Sequence, residues 1–341
     1  MRSRAREALL RFYDAHARAL PFRGAGDPYA IWLSEIMAQQ TRIETLIPYF
    51  ERFIARFPTI ASLAEAEEDE VLSLWSGLGY YRRARLLHEC AKVIVRDYGG
   101  EMPRDAAARL ALPGIGRYTA GAIGSIAFGF EEPIVDGNVT RVLARLYGWD
   151  EPVGSAALEK KLWAEAAALV VGERPGDLNQ AMMELGATIC TPRAPQCERC
   201  PLSADCAAFI GGEPELLPTP RKRSKPRKEP LFLLLAVDPA GEKLLLKKSE
   251  GALFGGLFMP PHGIETGDTE GDRDRALEPF GLRSDEAPVK LGELRHILSH
   301  IAYEVSVYRI EIEHESEYAR GFDELDSLGL SRLTSKALAL L

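Results

Sequence analysis

A proline-rich, basic stretch in the second half of the chain places the strongest limit on how the chain can fold. Residues 214–230 contain Pro214, Pro218, Pro220, Pro226 and Pro230, together with the run Arg221-Lys222-Arg223-Ser224-Lys225-Pro226-Arg227-Lys228. Proline interrupts helices and central strands, and clustered positive charge resists burial, so no packed core can form here. We therefore predict a linker over residues 214–230, which acts as a solvated tether or contacts phosphates directly.

Hydrophobic residues recur with different periods on the two sides of this linker. Before it, helical spacing covers 29–40, 44–57, 67–75, 82–98, 105–111, 117–129, 138–147, 155–171 and 177–188. After it, strand-like stretches cover 231–237, 243–248 and 302–312, and helical patterns lie near 269–280 and 331–340. The turn Pro239-Ala240-Gly241 predicts that the first two strands form a hairpin. The sequence thus predicts a multidomain protein, with an all-α domain over residues 1–213 and a small α+β domain over residues 231–341.

The net charge of −8 is spread unevenly along the chain. Residues 231–341 carry 12 lysines and arginines against 20 acidic residues, which accounts for the whole excess. Residues 1–230 are balanced and can present a basic face, so the net charge does not exclude nucleic acid as a partner. No apolar run reaches the roughly 18–20 residues of a membrane helix, and the basic N-terminus lacks the apolar core of a signal peptide. We expect a cytoplasmic protein with no membrane partner.

Four cysteines, Cys190, Cys197, Cys200 and Cys206, lie within 17 residues. Disulfides are unexpected in a chain without an export signal, so these thiolates are candidate ligands of one metal centre. Their spacing alone fits tetrahedral zinc and an iron–sulfur cluster about equally well. The fifth cysteine, Cys90, lies in a helical pattern and is a candidate core residue.

The sequence Leu112-Pro113-Gly114-Ile115-Gly116 joins two of the helical patterns. Gly114 and Gly116 permit a tight turn whose backbone N–H groups can meet a phosphate. A Gly-x-Gly sequence by itself usually marks only a turn. Here it precedes a helix rich in small residues, Ala120, Gly121, Ala122 and Gly124, which allows close packing against a second helix.

The chain resembles the adenine DNA glycosylase (MutY) family of the helix-hairpin-helix, endonuclease III superfamily. The resemblance is carried by the cysteine spacing that follows Glu184-Leu185-Gly186-Ala187, by the glycine hairpin, and by Trp32-Leu33-Ser34-Glu35-Ile36-Met37-Ala38-Gln39-Gln40-Thr41. It covers nearly the whole chain and is strongest over residues 27–206. It implies a 4Fe–4S cluster held by the four cysteines in a loop over residues 190–206. It also implies sequence-independent DNA binding by the hairpin, and a monomer that acts on double-stranded DNA.

Two carboxylates are candidates for breaking an N-glycosidic bond, a reaction in which the leaving base is protonated and the cationic sugar is stabilised. Glu35 shares an apolar helix face with Ile31 and Ala38, where its pKa should rise, although periodicity alone also fits a surface glutamate. Asp136 precedes a helix and fits an N-cap. The resemblance implies that Glu35 is the acid on adenine and that Asp136 stabilises or captures the anomeric carbon, supported by Asn138.

Tyr118 occupies the position where bifunctional members of the superfamily carry a lysine that forms a Schiff base. By residue type alone it would be a core aromatic. Because tyrosine cannot form a Schiff base, the resemblance implies a monofunctional glycosylase in which Tyr118 positions or shields the sugar.

Four further residues are candidate DNA contacts. Gln40 and Tyr80 match the family residues that insert into the DNA when the target base leaves the stack. Tyr80 by itself also fits a loop tyrosine packed on its own domain. Thr41, beside Gln40, and Arg23, in a segment where the family commonly has tryptophan, are assigned to DNA binding on the same resemblance.

The C-terminal domain resembles the Nudix-like domain with which this family recognises 8-oxoguanine. Residues 263–282 lack the Arg-Glu-x-x-Glu-Glu run of active Nudix hydrolases, so pyrophosphatase activity is not expected. In His296-Ile297-Leu298-Ser299-His300, Ser299 and His300 match the lesion-reading residues, whereas Leu298 replaces a phenylalanine. The resemblance predicts excision of adenine opposite 8-oxoguanine, or opposite guanine, in base-excision repair.

Two other functions stay open at this point. A mismatch thymine glycosylase of the same superfamily can carry tyrosine at the position of Tyr118, but it would not need the C-terminal domain. A non-catalytic DNA-damage binding protein would keep the scaffold without the chemistry, and retention of Glu35 and Asp136 argues against it.

Overall fold

The structure, a computed structural model, describes residues 2–23, 26–221, 225–250, 254–298, 300–313 and 316–341. It divides into two compact units. The helical unit contains Met1–Glu65 and Leu86–Lys222, and the sheet unit contains Ala66–Arg85 and Arg223–Leu341. None of the helices in the described ranges is long and apolar enough to cross a membrane.

Helices dominate the chain up to the linker. They are α1 (Arg2–His16), α2 (Pro28–Ala38), α3 (Ile43–Arg56), α4 (Ile60–Ala64), α5 (Glu68–Leu74), α6 (Arg82–Tyr98), α7 (Ala106–Ala111), α8 (Arg117–Ala122), α9 (Gly137–Tyr147), α10 (Ala156–Val170), α11 (Pro175–Thr188) and α12 (Ala207–Ile210). Each helical pattern in the sequence corresponds to a helix, so the prediction of an all-α region is confirmed. Helices α1, α4 and α12 were not predicted individually.

Local chemistry explains where these helices begin and end. Asp27 caps α2, because its carboxylate accepts from the backbone N–H groups of Tyr29 at 3.0 Å and Ala30 at 3.3 Å. The pattern over 117–129 becomes a π-helical turn at Ile123–Ala127. There the hydroxyl of Ser125 donates to the carbonyl of Gly121 at 2.7 Å, and such back-bonding often bends a helix.

The core of the helical unit lies between α1, α9, α10 and α11. Leu9, Leu143, Leu162, Leu178 and Leu185 have no more than 1% of their surface exposed. Helix α9 approaches α11 closely at Gly186, where an added Cβ would lie 2.5 Å from the Cβ of Asn138. Close packing of these two helices therefore fixes the first turn of α9, where Asp136 and Asn138 lie.

The first part of the predicted linker packs on the helical unit. The backbone N–H of Val153 donates to the carbonyl of Thr219 at 3.0 Å, and the hydroxyl of Thr219 donates to the carbonyl of Asp150 at 2.6 Å. Lys222, Arg223 and Ser224 lie outside the described residues. The first strand begins at Arg227, within the segment predicted as linker, because its backbone pairs along a neighbouring strand.

The sheet unit contains β1 (Arg227–Val237), β2 (Lys243–Leu245), β3 (Lys247–Lys248), β4 (Phe258–Met259), β5 (His262–Ile264), α13 (Thr269–Leu277), β6 (Val289–Ile297), β7 (Ile301–Glu311), β8 (Ala319–Gly321) and α14 (Arg332–Leu338). The strand order is β6-β7-β1-β2-β8, and β5 also pairs with β1. Strands β1 and β7 run parallel and the remaining pairs in this sheet are antiparallel. The predicted α+β region therefore contains a mixed sheet.

Strand β1 is buried on both faces. Leu231, Leu233 and Leu235 belong to the apolar layer that includes Leu333 of α14. Phe232 and Leu234 point the other way, into the layer that includes Ala276 and Leu277 of α13. The pleat sends alternate residues to opposite faces, so one continuous apolar run supplies two cores.

The predicted hairpin is confirmed, since Val237 pairs with Leu244 in antiparallel register. Strand β6 was not predicted. A bulge between Lys290 and Gly292 shifts its register and disturbs the alternation on which a strand prediction depends.

The segment Ala66–Arg85 belongs to the sheet unit, although its sequence pattern placed it in the helical domain. The hydroxyl of Tyr81 donates to the carbonyl of Leu330 at 3.0 Å. Lys248 and Asp69 form an ion pair at 2.5 Å. These contacts join residues far apart in sequence, which periodicity alone does not reveal.

Candidate active site

A cavity of about 730 Å³ in the helical unit brings all four predicted catalytic residues together. Glu35 reaches it from α2, Tyr118 from α8, and Asp136 and Asn138 from the start of α9. Its lining also includes the predicted DNA contacts Arg23, Gln40, Thr41, Gly114 and Gly116. Nine candidates scattered over 116 positions of the sequence thus line one cavity.

Glu35 lies on the apolar face of α2 with Ile31 and Ala38, as its periodicity predicted. Burial raises the pKa of its carboxyl group to about 7. A hydrogen bond from Tyr118 opposes this rise, and the nearby charge of Asp136 adds to it. At neutral pH a substantial fraction of Glu35 therefore carries a proton that it can donate.

Tyr118 is the direct partner of Glu35. Its hydroxyl lies 2.5 Å from Oε2 of Glu35 and 3.3 Å from Sδ of Met183 on α11. Burial, followed by the neighbouring carboxylates, raises the pKa of Tyr118 well above its ordinary value. Tyr118 is therefore a neutral donor near pH 7 that fixes the orientation of one carboxylate oxygen and leaves the other available.

Asp136 is both the N-cap of α9 and a member of the cavity. Its Oδ1 accepts from the backbone N–H of Val139 at 2.7 Å, and its Oδ2 accepts from Nδ2 of Asn138 at 2.9 Å. Burial raises the pKa of Asp136, and these hydrogen bonds act in the opposite direction. The two bonds use both carboxylate oxygens, so the side chain is rigid before any substrate binds.

Arg141, one turn further along α9, connects Asn138 to the cysteine loop. Its guanidinium donates to Oδ1 of Asn138 at 2.8 Å, to the carbonyl of Gly186 at 2.7 Å and to the carbonyl of Cys190 at 2.6 Å. Arg141 was not among the site residues predicted from the sequence. The sequence did contain one signal for it, because residues three positions apart share a helix face and Arg141 follows Asn138 by three positions.

Arg23 lines the cavity, and a buried carboxylate holds its guanidinium. Oε2 of Glu184 accepts from Arg23 at 2.7 Å, and Oε1 accepts from Arg18 at 2.6 Å. Burial opposes ionisation of Glu184, but the two arginines hold its pKa below the ordinary value. The assignment of Arg23 to DNA binding stays a prediction.

The glycine hairpin has the conformation that its sequence predicted. Gly114 has φ of +73°, and a Cβ there would lie 2.9 Å from the Cβ of Leu86. Gly116 caps α8 with extended backbone. The turn therefore requires glycine at Gly114 for its backbone conformation and for the close approach of α6.

The two predicted DNA-inserting residues share an uncommon backbone conformation. Gln40 has φ of +59° and Tyr80 has φ of +50°, and only two other described non-glycine residues have positive φ. Such conformations are costly and concentrate at functional sites. Tyr80 is 48% exposed, in the sheet unit, and Arg83 lies 5.6 Å from its ring centre.

The four cysteines of the loop are free thiols that line one small cavity. Arg145, which also lines it, donates to Sγ of Cys190 at 3.4 Å and to the carbonyl of Thr191 at 2.7 Å. No three His, Cys, Asp or Glu side chains in the described ranges lie close enough to hold a single metal ion. A 4Fe–4S cluster requires a different arrangement, because each thiolate binds a separate iron around a shared cubane.

The lesion-reading candidates lie at the turn between β6 and β7. Leu298 donates its backbone N–H to the carbonyl of Ile301 at 2.8 Å, and its side chain packs against the core of the sheet unit. His300 is exposed, and its carbonyl accepts from the backbone N–H of Arg227 at 2.9 Å. Ser299 lies outside the described residues.

Comparisons with known proteins identify the family to which the chain belongs. The HhH-GPD superfamily base excision DNA repair protein family matches residues 33–167. The human adenine DNA glycosylase is 36% identical over 91% of this chain and 67% of its own length. That of Buchnera aphidicola subsp. Acyrthosiphon pisum is 39% identical over 75% of this chain and 73% of its own. The chain belongs to the adenine DNA glycosylase family. This glycosylase is a base-excision repair enzyme that acts on DNA.

Two further matches concern the helical unit of the glycosylase. The iron-sulfur binding domain of endonuclease III matches residues 190–206, and the predicted 4Fe–4S cofactor is confirmed. The structure of a thermostable thymine-DNA glycosylase superposes with a TM-score of 0.56 and 32% identity, over 62% of this chain and 97% of that one. The helix-hairpin-helix glycosylase fold is therefore confirmed.

Proposed function

We propose that the glycosylase excises adenine opposite 8-oxoguanine, or opposite guanine, and hydrolyses the N-glycosidic bond without cutting the strand. The observation that carries the proposal is the contact between Tyr118 and Glu35. It joins a carboxyl group of pKa about 7 to a neutral donor inside a cavity that can hold one base. An acid with this pKa can protonate a leaving purine at neutral pH.

In the proposed reaction, Glu35 donates its proton to a ring nitrogen of adenine. The bond between the base and C1′ then breaks, and adenine leaves with the bonding electrons as a neutral base. Asp136 stabilises or captures the cationic C1′, with Asn138 and Val139 holding its carboxylate in place. Addition of water to C1′ leaves an abasic site, and the proton that this water releases restores Glu35.

The absence of strand cleavage follows from Tyr118. A Schiff base requires a primary amine beside C1′, and no described lysine lines the cavity. Tyr118 instead contacts Glu35 and Met183, which supports a role in positioning the acid and shielding the sugar. We assign the cluster ligands to Cys190, Cys197, Cys200 and Cys206, which line one cavity within the matched domain.

We further propose that the sheet unit is Nudix-like and reads the base opposite adenine. Its mixed sheet between α13 and α14 supports this assignment, as does the exposed position of His300 at a strand turn. Ser299 and His300 can donate or accept hydrogen bonds at the edge of the base that distinguishes 8-oxoguanine.

Gln40 and Tyr80 would fill the gap that the extruded adenine leaves in the base stack. Thr41 would contact DNA beside Gln40, and the hairpin glycines Gly114 and Gly116 would bind backbone phosphates. We expect a monomer that acts in the cytoplasm on chromosomal DNA.

A thymine-specific enzyme is the second candidate, because the similar solved structure is described as a thymine-DNA glycosylase. That match covers 62% of this chain, whereas the adenine-specific human relative matches over 91% of it. The greater extent of the second match favours adenine.

A panel of three duplexes tests the proposal, with A opposite 8-oxoguanine, A opposite G, and T opposite G. We expect adenine release from the first two, faster from the first, and strand breaks only after alkali. Release confined to T opposite G would overturn the substrate assignment. Nicking without alkali would overturn the monofunctional assignment, and binding without any release would favour a damage-binding protein.

A further inference from the structure

The shortest cation–aromatic contact described in the helical unit lies at the edge of the active-site cavity and has no part in the chemistry described above. Arg117 is the first residue of α8 and directly precedes Tyr118. Its guanidinium lies 3.7 Å from the centre of the Trp163 ring on α10. The other arginine–aromatic pairs described have separations of 4.6 Å or more.

Trp163 stands apart from the core of its helix. Leu158, Leu162 and Leu169 of α10 are buried in the helical core, whereas Trp163 is half-buried and is not one of the described side chains packed on that core. A large indole on the flank of an amphipathic helix loses apolar burial unless it has another partner. Its face is instead covered by the guanidinium of Arg117, 46 positions earlier in the sequence.

The guanidinium of Arg117 is available to bind an anion, whereas the guanidinium groups of the other cavity arginines bind a carboxylate. Three described arginines line the cavity, and two of them, Arg18 and Arg23, bind Glu184. Within the described ranges, Arg117 forms no ion pair and no side-chain hydrogen bond. Stacking occupies the flat face of a guanidinium and leaves the N–H groups at its edge free for hydrogen bonds.

The position of this charge suits a phosphate at the rim of the cavity. Arg117 is exposed and lines the cavity, whereas its partner Trp163 does not line it, so the guanidinium lies where the cavity opens to the surface. The sugar of an extruded nucleotide must reach Asp136, and the phosphates on either side of that sugar remain outside the cavity. A fixed guanidinium can bind such a phosphate with two parallel hydrogen bonds.

We propose that Trp163 is a positioning residue that holds the Arg117 guanidinium in place to bind a backbone phosphate of the adenine-bearing strand. The stack restricts a long, flexible side chain before DNA arrives, so less freedom is lost on binding. Arg117 directly precedes Tyr118, the hydrogen-bond partner of Glu35. Binding of the DNA backbone and alignment of Glu35 therefore depend on the same turn of α8.

The test measures binding of a duplex in which a 2′-fluorinated, cleavage-resistant adenosine lies opposite 8-oxoguanine, over a series of salt concentrations. Loss of one phosphate contact in R117Q should reduce the slope of log affinity against log salt by about 0.9. The affinity deficit of R117Q should then shrink about threefold between roughly 50 and 200 mM salt. R52Q is the matched control, since Arg52 covers Tyr49 on α3 without lining the cavity, and it should retain the wild-type slope.

Substitutions at Trp163 separate positioning from structural support. W163L should weaken binding and shift the salt slope toward that of R117Q, whereas W163F, which keeps an aromatic face, should restore most of both. R117Q combined with W163L should bind no more weakly than R117Q alone, because both remove the same contact. Additive losses, or a W163L defect with an unchanged salt slope, would show that Trp163 only supports the fold and would overturn the proposal.

Discussion

The active-site cavity of the helical unit and the β6–β7 turn of the sheet unit hold their polar residues in opposite ways. In the cavity, Glu35, Tyr118 and Asp136 are largely removed from water and bound to defined partners. At the turn, His300 is exposed, and its described anchor is a backbone hydrogen bond to Arg227. The first arrangement shifts the pKa values of the buried side chains and fixes the orientation of their hydrogen bonds. The second leaves the imidazole of His300 exposed, where a ligand can reach it.

The functions proposed for the two regions would require this difference. Transferring a proton to a leaving base requires an acid whose pKa matches the operating pH, which only desolvation and fixed neighbours supply. Distinguishing one base from another requires donors and acceptors that the base can reach. Substitutions in the two regions should therefore produce different losses: catalytic rate from the cavity, and discrimination from the turn.

The largest expected effect is that of E35Q. Glutamine has a similar shape but no transferable proton, so single-turnover excision of adenine should fall by between about a hundredfold and about ten-thousandfold. Binding of the uncleaved duplex should stay within a few-fold of the wild type. The control is E44Q, an exposed glutamate of α3, which should excise at the wild-type rate. Turnover of E35Q near that of E44Q would refute the assignment of Glu35 as the acid.

A smaller loss is expected for R141Q, which removes the link between Asn138 and the carbonyl of Cys190. We expect single-turnover excision to fall between about tenfold and a hundredfold, because groups that orient a ligand shell typically contribute this much. R141K keeps the positive charge but lacks the planar set of N–H donors of a guanidinium, so it should recover only part of the rate. Unchanged excision in R141Q would mean that Asp136 and Asn138 hold their geometry without the cysteine loop.

At the turn, H300A should reduce discrimination and spare the chemistry. Losing one or two hydrogen bonds to the opposing base should lower the preference for 8-oxoguanine over guanine by about tenfold. Excision of adenine opposite guanine should change little. The measurement is the ratio of excision rates on the two duplexes, and an equal fall on both would assign His300 to general DNA binding.

The smallest effect is a shift in the pH profile of Y118F. In the proposed reaction excision requires protonated Glu35, whose pKa is about 7, so the wild-type rate should decline as pH rises through that value. The Tyr118 hydrogen bond lowers the pKa of Glu35, so its removal should move this decline to higher pH. We expect a rate loss below about tenfold on the low-pH side. A decline that stays in place or moves to lower pH would show that another group controls it.

The same raised pKa has a consequence for stability. Glu35 binds its proton more tightly in the folded state, so the free energy of unfolding should decrease as pH rises from about 4.5 to about 7. E35Q removes this dependence, and its melting temperature should exceed that of the wild type most clearly above pH 7. Equal melting temperatures at every pH would indicate that burial at Glu35 does not oppose its ionisation.

The sequence by itself determined most of the helices, the hairpin of β1 and β2, and the family to which the enzyme belongs. Local signals sufficed there, because a helix start such as Asp27-Pro28 and the period of the apolar residues depend only on near neighbours. For Glu35 the helix face predicted a raised pKa but fitted a surface glutamate as well, and only its burial in the folded chain decided between the two.

Only the tertiary structure decided which residues meet. It joined Tyr118 to Glu35 and Arg141 to Cys190, placed Trp163 on Arg117, and grouped Ala66–Arg85 with the sheet. These contacts depend on how helices pack, which no periodicity along one segment encodes. For Asp136 the sequence supplied the cap, whereas the packing of α9 against α11 supplied the burial that opposes its ionisation.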